Sequence, residues 1–99
     1  MDHEEAIIIR EMKLLMKLLP EGIYRYLRYH GFVHYGRATI MKKDWKNFRI
    51  IVKYSQKESE WTISVEQLGN VLWQGIDVNF PFLAKQCNRK FRNMAWPDV

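Results

Sequence analysis

The strongest constraint on the fold is a period-two alternation through the middle of the chain. Phe48, Ile50, Val52 and Tyr54 fall on one side of an extended segment, with Arg49, Ile51 and Lys53 on the other. Trp61, Ile63 and Val65 then alternate with Thr62, Ser64 and Glu66. Successive side chains of a strand point to opposite faces, so this pattern marks strands that bury one face. Residues 55–60 are a polar connection, Gly69-Asn70 is a turn signal, and 71–76 read as a last short strand with Val71 and Trp73 inward. Connections this short rule out crossovers, so the strands form an antiparallel meander.

Upstream, residues 32–41 read as a further strand and 42–47 as a polar connection. On that phase Tyr35, Arg37 and Thr39 face outward near Arg49 and Lys53, with Ile51 between them. An apolar helix lying over the same face is the competing expectation for it.

Helices flank the sheet. Residues 4–19 are dominated by good helix formers and stop at Pro20 and Gly22. Arg10, Lys13 and Lys17 share one narrow stripe of that helix, and the apolar arc covers most of the rest. So wide an arc calls for a second covering surface, such as a homodimer formed through the helix at 4–19. Residues 21–30 fit a short helix lined by Ile23, Leu27 and His30, or a strand; Gly31 favours the helix. Residues 79–94 read as the closing helix, capped by Asn79, with Pro81 tolerated in the first turn. Phe80, Leu83, Ala84, Cys87, Phe91 and Met94 mark its core face; Phe82 falls oddly among the cations Lys85, Arg89 and Arg92. The expected fold is α+β in two layers: an N-terminal helix or two, a three- to four-stranded antiparallel sheet and a C-terminal helix, in one domain over residues 1–99.

Charge carries the functional argument. The chain has 16 Lys and Arg against 11 Asp and Glu, a modest +5. Its distribution is uneven. Residues 10–57 hold 12 bases against three acids, 58–84 hold four acids and no base, and 85–92 hold four bases and no acid. A basic side opposite an acidic edge suits a polyanion bound through counterion release. Two places interleave cations with aromatic rings. One is Tyr24, Arg25, Tyr26 and Arg28. The other is Lys42, Lys43, Trp45 and Lys46, expected as a finger between strands. Rings stack on bases and cations meet phosphates, which is the requirement of single-stranded nucleic acid. Arg89 and Arg92 add phosphate contacts. The bland alternatives are tyrosines that plug the gap between helix and sheet, and a Trp45 folded back as a lid on the core.

Nothing points to catalysis. His30 and His34 are four apart but straddle Gly31, and no third residue completes a metal site. Cys87 sits on a core face, the five glycines are scattered singly, and no cofactor motif is present. No apolar run is long enough to span a membrane. One cysteine and no recognisable export segment set cytoplasm as the expected compartment. Two function classes follow. The first is a small non-enzymatic domain that binds DNA or RNA in an accessory or regulatory role. The second is a protein-interaction module, a small inhibitor or adaptor on a larger partner, of the size phage and mobile elements encode.

Overall fold

The computed structural model describes residues 19–92 and Trp96, apart from the side chains of Arg37 and Ala38. The helix expected over 4–19, and the dimer expected through it, lie outside the described residues except for Leu19, which is buried. Two helices and a five-stranded antiparallel sheet follow in the order α1 (Glu21–Tyr29), β1 (Val33–Tyr35), β2 (Arg37–Trp45), β3 (Phe48–Ser55), β4 (Glu60–Gln67), β5 (Asn70–Asp77) and α2 (Phe80–Phe91). The class is α+β. The spatial order of the sheet is its sequence order, β1-β2-β3-β4-β5.

The sheet has one strand more than expected at most, for a local reason. Gly36, at φ 74°, breaks the run 32–41 into two strands. The expected connection at 42–47 is mostly strand: β2 continues to Trp45, and only Lys46 and Asn47 turn. Lys46 takes the left-handed conformation there, at φ 54°. The break also inverts the phase. Ile40 and Lys42 lie opposite Lys53 and Ile51, so Thr39 shares a side with Met41 rather than with Tyr35.

Cross-strand partners point the same way, which assigns the faces. Met41, Val52, Ile63 and Gly75 form one row on the helix side, and Ile50, Val65 and Trp73 another. Lys42, Ile51, Ser64 and Gln74 form a row on the opposite, open side. A bulge between Val65 and Glu66 sets Val71 opposite Glu66, on the open side, and corrects its expected inward position. The β4–β5 turn is Leu68-Gly69, both at positive φ (51° and 82°), the backbone a two-residue hairpin turn favours.

α1 begins after Pro20, carries Glu21 in its first turn and Arg28 in its last, and so complements its own dipole. It ends in a Schellman motif. Phe32 N–H donates to Leu27 O (2.9 Å), Gly31 N–H donates to Arg28 O (3.1 Å), and Gly31 takes φ 88°. The accompanying apolar contact joins Phe32 and Leu27, both fully buried. That anchor sets the roll of α1: Tyr24 and Leu27 go to the core, and Ile23, Tyr26 and His30 lie half-buried beside them, so the expected face of Ile23, Leu27 and His30 is widened by Tyr24.

α2 is capped by Asn79, whose Oδ1 accepts from Phe82 N–H (3.0 Å), while Asp77 Oδ1 accepts from Asn79 N–H (2.7 Å). Pro81 occupies the first turn, and Arg92 closes the helix at φ 51°. The core lies between the helices and the sheet. Trp96 sits at its centre, stacked on Phe32 (5.2 Å, 18°) and Tyr26 (6.3 Å, 14°) and edge-on to Phe80 (5.5 Å, 82°). Its carbonyl accepts from Asn88 Nδ2 at 2.7 Å. Phe80 meets Trp61, and Phe91 meets Phe48 and Trp73. Among the described residues no helix is long and apolar enough to cross a membrane.

Candidate nucleic-acid interface

The residues expected to bind are spread over both sides of the sheet. Tyr24 is 4% exposed, with its ring parallel to His34 at 6.2 Å. A buried ring offers no face to a base, so the stacking expected of Tyr24 does not fit this fold. Tyr26 is half-buried among Trp96, Phe80 and His30. Both tyrosines plug the space between helix and sheet. Arg25 and Arg28 are exposed on α1, Arg25 paired with Glu21 one turn earlier.

The finger expected at 42–46 is a strand end. Lys43 and Trp45 point to the helix side, where the Lys43 ammonium lies 6.0 Å from the Phe32 ring and Trp45 packs on the core. Lys46, in the turn, caps the Trp45 ring at 4.4 Å. Lys42 points to the open side. Arg89 lies exposed on α2 and Arg92 at its C-terminus.

The open side carries a cluster that residue spacing reveals only in part. Tyr35, 43% exposed, has the Lys42 ammonium 5.0 Å and the Arg49 guanidinium 6.0 Å from its ring centroid. Arg49 Nε donates to Asp44 Oδ1 at 3.0 Å, and that carboxylate holds the guanidinium pKa above its ordinary value. Lys53 is exposed on the same side, between Ile40 and Thr62 across the ladder. Beneath these cations Ile51 and Ser64 are buried.

Charge on this side is therefore graded. Lys42, Arg49 and Lys53 stand over β2 and β3 with one acid, Asp44; Glu60 and Glu66 stand over β4 with no base. On the helix side, Tyr29 is 85% exposed beside Arg25 and Arg28, one residue edge-on to His30 at 5.0 Å. Tyr29, Tyr35, Arg49 and Lys53 were not among the expected contact residues. The signal for Tyr35 was present in the strand phase; that for Tyr29 required the roll of α1.

A wide cleft of about 640 Å³ opens at the end of the sheet, between the Lys46-Asn47 and Leu68-Gly69 turns. Asp44, Arg49 and Glu66 line it, so its charges are mixed. Among the described residues no three His, Cys, Asp or Glu side chains are grouped to hold a metal ion. Compared with known proteins, the chain matches no family model, no curated protein and no solved structure.

Proposed function

We propose that this chain is a small, non-enzymatic nucleic-acid-binding domain of accessory or regulatory kind, acting in the cytoplasm, with the β1–β3 half of the open side as its contact surface. The observation that carries the reading is Tyr35, half exposed, with Lys42 and Arg49 against its ring. A single strand laid along β2 and β3 stacks a base at Tyr35 and sets phosphates by Lys42 and Lys53. The acids over β4 limit its path on that side.

Fluorescence anisotropy with labelled single-stranded DNA and RNA, titrated from low to physiological salt, tests this. Replacing Lys42 and Lys53 with Gln removes two phosphate contacts. It should flatten the slope of log K against log salt by about 1.4, at roughly 0.7 per contact for single strands. Tyr35→Ala should weaken binding by about 1–3 kcal/mol at every salt concentration. Absence of binding at low salt, or wild-type affinity in all three substitutions, would overturn the proposal. A second reading, a protein-interaction module, draws on a different observation: most exposed apolar side chains cluster along β5 rather than on the basic half.

A further inference from the structure

We infer that the outer edge of β5, which no strand pairs among the described residues, pairs antiparallel with β5 of a second copy, joining two sheets into one of twice the width. This does not depend on the nucleic-acid reading, which uses the other half of the sheet. The two edges of the sheet differ sharply. β1 has three residues, too few to template another strand, whereas β5 has eight. Long edges are normally blunted by charge, by proline or by a bulge, and the one bulge of β5, at Leu72, lies near its start. β5 has no proline, no lysine and one charged residue, Asp77 at its end. Val71, Leu72, Ile76, Val78 and Phe82, all exposed, follow the strand and the start of α2.

The chemistry of the edge selects a second copy as its occupant. A twofold through Gln74 sets Leu72 against Ile76 of the other copy, twice, on the open side, and joins the two Gln74 amides between them. The same twofold, perpendicular to the sheet, keeps both pairs of helices on one side. α2 runs back along β5, because Leu83 lies over Gly75 and Phe91 meets Trp73. The flank of α2 that holds Phe80, Ala84 and Asn88 faces Trp96, as the Phe80 and Asn88 contacts show. The opposite flank, with Phe82, Gln86 and Arg89, therefore overlooks the free edge. Antiparallel pairing brings the Asp77 end of one strand beside the partner helix at Arg89 and Lys90. An acidic strand end thus meets a basic helix end, twice. It also gives Phe82, which no core position explains, a neighbouring surface.

Light scattering coupled to size exclusion on the full chain reads this directly. The expected mass at high concentration is twice the 12.0 kDa of the chain. Ile76→Lys should halve that mass while leaving circular dichroism and thermal melting in place, since Ile76 is exposed. Adding Leu72→Glu to Ile76→Lys creates a Lys–Glu pair on each side of the twofold and should restore the doubled mass. A wild-type monomer at every accessible concentration overturns the inference. So does a dimer indifferent to Ile76→Lys, which assigns association to another surface. Dissociation by Ile76→Lys without rescue by Leu72→Glu overturns the Gln74-centred pairing.

Discussion

Alanine at Gly75 would place a methyl group 2.6 Å from Leu83 Cδ1 and 2.8 and 2.9 Å from Cη2 and Cζ2 of Trp73. Carbon atoms pack at about 3.5–4.0 Å, so helix and sheet must part by roughly 1 Å or a side chain must rotate. Leu83 is fully buried, and a turn of its side chain meets the rest of the core. Overpacking of this kind costs about 1–3 kcal/mol. The backbone of Gly75 is not in the left-handed region, so alanine also reduces unfolded-state entropy and returns about 0.4–1 kcal/mol. The net expectation is a loss of about 1.5 kcal/mol. Urea unfolding followed by tryptophan fluorescence should show the midpoint falling by about 1 M, for a slope near 1–1.5 kcal/mol/M at this chain length. The same contact predicts coupling. Leu83→Ala alone should cost about 2–5 kcal/mol, and in that background Gly75→Ala should cost less than it does in wild type, because the clash with Leu83 is gone and only the one with Trp73 remains. A Gly75→Ala protein as stable as wild type, or additive costs in the double variant, would refute the close approach of α2 to β5.

Two further predictions concern the same helix. Asn79→Ala removes the side-chain oxygen that accepts from Phe82 N–H and should lower stability by about 0.5–2 kcal/mol in the same urea assay, with Asn79→Asp close to wild type. Burial pushes the Cys87 thiol pKa above its ordinary value of 9.0 and outweighs Trp96, which acts the other way. The unfolded chain then releases this proton first, so stability contributed below pH 9.0 is lost as pH rises from there toward the folded-state value. Unfolding free energies measured across that range should fall more steeply for wild type than for Cys87→Ala.

The parts of the fold that were legible in the sequence are those where one physical signal dominates. β3 and β4 alternate because one of their faces is buried, and α2 shows its cap, its proline and its apolar face. The Lys42–Trp45 segment was opaque because polarity there does not mean loop. Lys42 and Asp44 point outward, while Lys43 turns to the helix side, where its ammonium lies over the Phe32 ring. Gly36 and the β5 bulge each shift the phase by one residue, and no composition signal marks such a shift. In α1 each residue turns about 100°, so Tyr24 and Tyr29, five apart, lie about 140° from one another around the helix. The anchor between Leu27 and Phe32 decides which ring is buried, and so Tyr24 is lost as a contact while Tyr29 is exposed.

The neighbour-to-neighbour order of the strands has a consequence for how the chain reaches this state. β2 to β5 are joined by turns of two, four and two residues, so each pairing closes a short loop. The entropy of closure is small at every step, and each finished hairpin offers its edge to the next segment. The contacts of Trp96 with Phe32 close a much longer loop, and on this argument they should form after the hairpins. Substitutions at Phe80 or Trp96 should therefore speed unfolding more than they slow folding, whereas those at Ile50 or Ile63 act on the early hairpin.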